Sequence, residues 1–223
     1  MKLQSAFIVL ASIISSSLAF TIDCNFRLDH YSWLDGEFYT CRRDNLTAAT
    51  RRDDRYVDDM IGTHMSGHSN EDVRGVHIKG DLVHYFPWKM DLHLPHLSFI
   101  AIEYTNMLEI RGTDLTPFPD LEYLYLGYNS IEVIEKDLLK SNPRLKGISL
   151  ENNRIRFVHD HVFNNIVKRL KFMSFEKSGC ADFREDTDMG SAVARIADQC
   201  GNYDNIAGLL TDLYFAQRHR LYV

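Results

Sequence analysis

The sequence predicts an α/β solenoid. We expect a short horseshoe of about five stacked units with a parallel concave sheet, an N-terminal β-hairpin cap and a C-terminal helical cap. Apolar residues recur with a period of 24 residues between Val73 and Cys180. Two cysteines precede this stretch, one ends it and one follows it. The pair Asp35-Gly36, between aromatic-rich segments, is a two-residue hairpin signal ahead of the repeat.

The clearest units are residues 121–131 (LEYLYLGYNSI) and 145–155 (LKGISLENNRI), which lie one period of 24 residues apart. Both fit the pattern LxxLxLxxNxL. The same phases carry apolar residues one and two periods earlier, and again 25 residues later. The apolar residues of these further units are Val73, Val76, Ile78 and Val83, then Leu97, Ile100, Ile102 and Met107, then Leu170, Met173 and Phe175.

Positions four and six of each unit should point into the core, because strand side chains alternate between two faces. Stacked units then form a parallel sheet, and each unit covers the apolar edge of its neighbour. Position nine lies where the strand turns, and an amide there can satisfy backbone groups that the turn leaves unpaired. Asn129 and Asn153 suit this structural role. Weaker substitutes stand at the same position in the other units: Asp81, Thr105 and Ser178.

These units resemble leucine-rich repeats over residues 73–180. The segment from Cys24 to Cys41, with Trp33 inside it, resembles the N-terminal cap of small secreted, disulfide-capped leucine-rich-repeat proteins of dipteran insects. The segment from Cys180 to Cys200 resembles their closing cap. The resemblance implies a curved solenoid that binds a partner, without one defined ligand.

Four cysteines allow three disulfide pairings. Cys41 precedes the first unit and Cys180 ends the last, so four strand steps of about 4.8 Å would separate them by roughly 19 Å. A disulfide needs Cα atoms within about 7 Å. We therefore expect Cys24 to pair with Cys41 and Cys180 with Cys200, one bridge in each cap.

The first residues have the pattern of a secretory signal. Met1-Lys2 gives a positive start, Ala6 to Ile14 is apolar, and Ser17-Leu18-Ala19 places small residues before a cleavage site. We expect a signal peptide over residues 1–19, an N-terminal disulfide cap and loop over 20–72, repeats over 73–180, and a C-terminal cap with an amphipathic helix over 181–223. The protein should therefore be secreted and extracellular, with no membrane span.

Three smaller features complete the domain prediction. Asn45-Leu46-Thr47 is a glycosylation sequon, and we expect Asn45 to carry a glycan. The charged run Arg51 to Asp59 reads as a solvated loop rather than a processing site at Arg51-Arg52. After Cys200, apolar residues at Ile206, Leu209, Leu210, Leu213 and Phe215 predict a helix that packs on the last unit, with a dimerisation helix as the alternative.

The concave face should carry positions three, five, seven and eight of each unit. Aromatic residues fill several of these positions in the second and third units: Phe99, Tyr104, Tyr123, Tyr125 and Tyr128. Glutamates share position seven in three units: Glu103, Glu151 and Glu176. Exposed aromatic rings supply contact area at low entropic cost, so we expect a binding centre with an acidic flank. The alternative is a cross-strand aromatic ladder that only stabilises the sheet.

Sequence signals for catalysis, cofactors or metals are absent. The chain has no GxSxG elbow, P-loop, HExxH or calcium-loop pattern. The histidines of His159-Asp160-His161, and the pair His64 and His68, lack a cysteine or second carboxylate at zinc spacing. We therefore predict a non-enzymatic protein with no cofactor and no metal site.

The charge balance narrows the class of partner. With 25 basic and 31 acidic residues the formal net charge is −6, which gives no electrostatic case for nucleic acid. We expect recognition of an extracellular protein that presents a basic or neutral patch, in immunity or extracellular interaction. Two alternatives stay open: a self-associating extracellular structural protein, with weak self-association, and a binder of microbial glycans or lipids. A hydrolase ranks last.

Overall fold

The computed structural model describes residues 19–31, 36–80, 82–159 and 161–201. Several sequence predictions fall outside these residues. They are the signal peptide up to residue 18, Trp33 and Asp35 of the cap hairpin, Asp81 at position nine, the central residue of the histidine triplet, and the C-terminal amphipathic helix.

Most regular structure in the described residues is short strands. The strands are β1 (Phe20–Asp23), β2 (Asn25–His30), β3 (Glu37–Asp44), β4 (Val57–Ile61), β5 (Gly75–Lys79), β6 (Phe99–Glu103), β7 (Tyr123–Tyr125), β8 (Val133–Ile134), β9 (Gly147–Ser149), β10 (Phe157–Val158), β11 (Phe172–Ser174) and β12 (Arg184–Glu185). The α-helices are α1 (Gly112–Leu115) and α2 (Met189–Cys200), and single 3₁₀ turns cover Arg52–Asp54, Asn70–Asp72 and Met90–Leu92.

The main sheet has eight strands in the order β2-β3-β5-β6-β7-β9-β11-β12. The strands from β3 to β11 run parallel, whereas β2 and β12 are antiparallel to their neighbours at the two edges. Position three of each unit pairs with position three of the next, in the chain of residues Gly75, Phe99, Tyr123, Gly147 and Phe172. The strand register therefore follows the repeat period in the sequence.

Positions four and six of the units form the spine of the core. Their side chains are fully buried: Val76, Ile78, Ile100, Ile102, Leu124, Leu126, Ile148, Leu150, Met173 and Phe175. Burying a side chain of this size contributes about 1.5–3 kcal/mol relative to leaving it in water. A repeated pair of apolar positions thus holds every unit against the next.

The segments that return from one strand to the next contain little α-helix. The helix α1 has four residues, and β8 and β10 form a separate two-stranded parallel pair. Pro95, Pro119 and Pro143 each stand two residues before the first leucine of the next unit. Proline disfavours a helical conformation at the residue before it and cannot continue a helix, so these segments turn instead. The helical part of the predicted α/β class is thus small in the described repeats.

The predicted cysteine pairing is confirmed. Cys24 and Cys41 are bonded with Cα atoms 4.9 Å apart, and Cys180 and Cys200 with Cα atoms 5.3 Å apart. The second bridge attaches the end of α2 to the last repeat. Asp188 caps the start of this helix, since its side chain accepts a hydrogen bond from the Ser191 backbone N–H, and the helix buries one face. One bridge therefore lies at β3 and the other just after β11, towards opposite ends of the parallel strands.

The hairpin of the N-terminal cap forms between β2 and β3, but the prediction of a two-residue turn at Asp35-Gly36 is wrong. His30 pairs with Glu37, so residues 31–36 connect the strands. Tyr31 leaves the strand and places its hydroxyl 3.0 Å from Nδ1 of His77 on the sheet. β2 therefore ends earlier than the Asp-Gly signal indicates.

The prediction that residues 51–59 form a solvated loop is also wrong. Arg55 is buried, and from Val57 the chain forms β4, which pairs in parallel with β1. Val57 and Met60 face the core. The charges in this run hid the strand, because Arg55 enters the interior together with an acidic partner that lies far away in the sequence.

No helix in the described part of the chain is long and apolar enough to cross a membrane.

Candidate binding face of the parallel sheet

Position eight of every unit adopts a left-handed backbone conformation at the end of its strand. The φ angles are 78° at Gly80, 60° at Tyr104, 56° at Tyr128, 50° at Asn152 and 53° at Lys177. Glycine and asparagine tolerate this region, whereas a bulky side chain there is an outlier. Two successive units therefore hold tyrosines in a backbone conformation that tyrosine rarely adopts.

The two tyrosines form an exposed stacked pair. The ring centroids of Tyr104 and Tyr128 are 4.0 Å apart, with 11° between the ring planes. The residues are 43% and 36% exposed. The ammonium of Lys79 lies 4.9 Å from the Tyr104 ring centroid. Partial burial is the main reason that the pKa of Tyr104 is raised to about 12, and hydrogen bonding to Tyr128 raises it further.

The glutamates at position seven form an acidic strip beside the tyrosine pair. Gly127 occupies this position in the third unit, and a Cβ there would lie 3.0 Å from Cγ of Glu151 and 3.5 Å from Oε1 of Glu103. The side chains of Glu103 and Glu151 therefore converge over Gly127. Burial raises the pKa of the Glu151 carboxyl, and the nearby carboxylates of Glu103 and Glu176 raise it further. The strip therefore holds carboxyl groups so close together that their negative charges repel one another.

We expect Glu151→Gln to raise the free energy of unfolding at pH 7 by up to about 1 kcal/mol, because it removes a partly buried charge and its like-charge repulsion across strands. The raised pKa means that folding favours the protonated carboxyl, so Glu151 reduces stability as the pH rises above its unfolded value of about 4.3. The gain should shrink towards zero at about pH 3.5, where Glu151 is protonated in both states. Urea unfolding at both pH values measures this gain in the free energy of unfolding, with Glu135→Gln as an exposed control. A less stable variant at pH 7 would contradict the repulsion.

The predicted exposure of three aromatic residues is wrong. Phe99 is 0% exposed, and Tyr123 and Tyr125 are 4% exposed. With Phe38 and Ala101 they form a second apolar cluster on the face of the sheet opposite the main core. These rings therefore support the sheet, as the alternative of an aromatic ladder states, and the exposed part of the predicted centre is Tyr104 and Tyr128.

Glycines at position three explain why these rings are covered. A Cβ on Gly75 would lie 2.8 Å from Cδ1 of Phe99, and a Cβ on Gly147 would lie 2.9 Å from Cδ1 of Tyr123. Each ring thus leans over a neighbouring strand where no side chain stands. The sequence carries this signal, because a glycine and an aromatic ring share position three in adjacent units.

A polar network between the cap and the sheet was not predicted from the sequence. His77 is 6% exposed, and its two ring nitrogens lie 3.0 Å from the Tyr31 hydroxyl and 3.2 Å from Oε2 of Glu103. In the cap, the buried Thr40 hydroxyl donates to Asp29 over 2.7 Å. The network attaches the cap to the start of the acidic strip. No sequence signal marks it, since it joins residues of three separate segments.

Asn129 and Asn153 lie buried directly below the tyrosine pair and the strip. Oδ1 of Asn129 accepts hydrogen bonds from the backbone N–H groups of Thr105 and Met107, and Nδ2 donates to the carbonyl groups of Ile102 and Leu126. Oδ1 of Asn153 accepts from Ile131 N–H, and its Nδ2 donates to the carbonyls of Leu126 and Leu150. Each amide thus ties the ends of two adjacent strands together.

The histidines singled out in the sequence lie away from this face. His159 and His161 are on a return segment, with ring centroids 5.7 Å apart, and His64 bonds to Tyr39 and Asn70 in the N-terminal cap. Among the described residues no three His, Cys, Asp or Glu side chains converge as metal ligands.

Residues 119–172 match the model of the leucine rich repeat family. The matched segment runs from just before β7 to the first residue of β11, so it contains Tyr128, Glu151 and both turn asparagines. No curated protein matches the chain. The match and the two disulfides support a leucine-rich-repeat protein. Leucine-rich-repeat domains commonly mediate protein binding, which favours a binding protein over an enzyme.

Proposed function

We propose that the protein is a secreted, non-enzymatic binding protein that recognises an extracellular protein partner at the concave edge formed by Tyr104, Tyr128 and the acidic strip. The observation that carries this proposal is the stacked, exposed tyrosine pair at two left-handed positions. Residues held in such backbone conformations cost about 1–3 kcal/mol each, and they concentrate at functional sites.

The physical properties of the pair suit protein recognition. Two tyrosine rings supply rigid, amphipathic contact area, and tyrosine is enriched where binding energy is concentrated. The backbone beneath them is fixed by the buried amides of Asn129 and Asn153, so little order has to be gained on binding. The site is therefore preorganised.

The acidic strip determines which partner chemistry fits. Glu103 and Glu151 converge over Gly127, the residue before Tyr128 in the sequence. A guanidinium or ammonium group placed there would meet carboxylates on one side and an aromatic face on the other. The partner surface should therefore present a basic side chain, and complementary charge should also accelerate the encounter.

Secretion rests on features apart from the face. The two disulfides persist in oxidising compartments, and residues 1–19 have the pattern of a signal peptide. Asn45, the expected glycosylation site, is exposed at the end of β3 and has a φ of 58°. The resemblance of the caps to secreted leucine-rich-repeat proteins of dipteran insects supports the same compartment.

The test compares partner binding by the wild-type protein and by Tyr104→Asn/Tyr128→Asn. Asparagine suits a left-handed backbone and already occupies position eight in the next unit, at Asn152, so the variant should fold. A partner captured from extracellular fluid is identified, purified and titrated against both proteins. Removing two aromatic hot-spot residues should weaken binding at least about tenfold.

Leu108→Asn is the matched control, because Leu108 is an exposed apolar residue outside the tyrosine pair. It should bind the partner as the wild type does. If the tyrosine variant keeps full affinity, the proposed site is wrong. If no partner is captured and the protein grows in size with concentration, self-association is favoured, and the open edge of β2 with exposed Leu28 offers a surface for it.

A further inference from the structure

A cluster of basic side chains lies at the opposite end of the same strands from the acidic strip. Around the starts of β9 and β11 the chain encloses an open groove of about 530 Å³. The cations that line it, here called the basic rim, are Arg144, Lys146, Lys168, Arg169 and Lys171. Glu122 and the largely buried Leu170 complete the lining.

The repeat arranges these cations in rows. The Lys146 N–H donates to Glu122 O over 2.7 Å, and the Lys171 N–H donates to Lys146 O over 2.7 Å, so position two lies in one column across three strands. Neighbouring strands are about 4.8 Å apart, and residues two apart along an extended chain are separated by about 6–7 Å. Units four and five therefore present charges at short, regular intervals.

The positive charge of the basic rim is only partly balanced. Arg144 pairs with Asp120 at 2.6 Å, and Lys146 pairs with Glu122 at 2.7 Å. Within the described ranges, Lys168 and Arg169 form no ion pair, and both are exposed. A local excess of cations in a chain with a net charge of −6 is held at a cost in repulsion. An anionic ligand would remove that cost.

We propose that the basic rim binds a sulfated polysaccharide. The groove is open and lies across two units, which suits an extended chain rather than a single enclosed ion. Lysine and arginine side chains with regular spacing bind successive sulfates mainly as charges, and the binding releases counterions. The choice of a polysaccharide over other polyanions rests on the proposed secretion, because sulfated chains are extracellular polyanions. It does not depend on the protein partner at the tyrosine pair.

The test measures binding of the full secreted protein to heparin, as the probe for sulfated chains. Wild-type protein should bind at 50 mM NaCl, and affinity should fall more than about tenfold by 200 mM, as expected for the release of a few counterions. The variant Lys168→Glu/Arg169→Glu/Lys171→Glu should lose at least about tenfold in affinity at 50 mM NaCl. All three side chains are exposed, so the fold should survive.

The matched control, Lys136→Glu/Lys140→Glu/Arg154→Glu, makes the same change in net charge at exposed sites outside the groove. It should keep heparin binding. Equal loss in both variants, or equal binding of wild type to unsulfated polyuronate, would overturn the proposal. Capture by phosphatidylserine vesicles in place of heparin would assign the basic rim to a lipid surface instead. Tyr104→Asn/Tyr128→Asn should bind heparin normally, which separates this site from the proposed partner site.

Discussion

Replacing Asn129 with alanine should lower the free energy of unfolding by about 3–5 kcal/mol, although the side chain is small. Its amide oxygen accepts from the N–H groups of Thr105 and Met107 and from the Thr105 hydroxyl, at 3.1, 3.0 and 2.9 Å. Its amide nitrogen donates to two buried carbonyls, at 2.8 and 3.1 Å. Alanine removes all of these bonds. The Leu126 carbonyl keeps its bond from Asn153 Nδ2, but the other groups lose the Asn129 amide in the interior, and each unsatisfied buried group costs about 1–3 kcal/mol.

Asn129→Asp separates hydrogen bonding from side-chain size. Aspartate can still accept the three bonds, but an ionised carboxylate would face the carbonyl oxygens of Ile102 and Leu126. Protonation restores one donor, so the folded-state pKa of the new carboxyl should be raised. The variant should then lose more stability at pH 7 than at pH 4, because the native state binds the proton more tightly than the unfolded chain.

Urea unfolding of the disulfide-intact proteins measures these differences. Asn165→Ala, at an exposed position of the return segment, is the control and should change stability by less than about 0.5 kcal/mol. A loss at Asn129 no larger than the control would mean that water replaces the amide. Equal losses for the aspartate variant at the two pH values would mean that its carboxylate is solvated.

The fold could be predicted from the sequence wherever an interaction repeats. Residues such as Leu124 and Ile148 sit at the same phase of successive units, so one rule about alternating strand faces places the inward side chains of each strand. The disulfides followed as well, since Cys41 and Cys180 belong to opposite ends of the stack and cannot meet. Residues that are one repeat period apart in the sequence are paired in the register of neighbouring strands.

The exposure of residues on the candidate binding face was predicted less well, because exposure depends on the neighbouring strand. Phe99 and Tyr128 both occupy positions that face away from the core, yet Phe99 is covered and Tyr128 is not. The difference comes from Gly75, which lets the Phe99 ring lie over its strand, and from the left-handed backbone that turns Tyr128 outwards. An assignment of exposed residues from their positions within a single unit includes neither effect.

Arg55 shows a second limit of sequence reasoning. Its segment is dense in charge and predicts a solvated loop, whereas the side chain is 5% exposed and pairs with Asp114, 59 residues later. Local composition describes the average solvation of a segment. It carries no information about a single distant partner whose opposite charge offsets the free-energy cost of burying one charge.

That pair leads to the second large effect: Asp114→Ala should destabilise the protein by about 3–5 kcal/mol. Asp114 is 2% exposed, and one of its oxygens lies 3.1 Å from Arg55 Nη1 and accepts from Trp88 Nε1 at 2.5 Å. The Arg55 guanidinium also lies 3.6 Å from the centroid of the Trp88 ring. Burial lowers the pKa of Arg55, and Asp114 opposes that shift. Without Asp114, a cation stays in the interior with no carboxylate bonded to it.

Two further variants distinguish loss of charge from loss of packing. Asp114→Asn keeps one acceptor oxygen, which can serve Trp88 Nε1 but not also the Arg111 N–H that bonds to the other carboxylate oxygen at 2.9 Å, and it removes the negative charge beside Arg55. It should lose most of the stability that alanine loses. Arg55→Met/Asp114→Asn removes both charges and keeps the amide oxygen of Asp114→Asn as an acceptor. Methionine fills the space of the aliphatic part of the arginine side chain. The double variant should therefore recover at least half of the stability that Asp114→Asn loses. Asp120→Asn, in an exposed ion pair, is the control and should cost less than about 1 kcal/mol.

The comparison of single and double variants, by urea unfolding at pH 7, is decisive because the two explanations give opposite orders. If the cost comes from an unpaired buried charge, the double variant is more stable than Asp114→Asn. If the cost comes from lost packing around Trp88, removing Arg55 as well makes the double variant the less stable of the two, since the cation no longer covers the ring. The first order would mean that burial of the Arg55 charge depends on its pairing with Asp114.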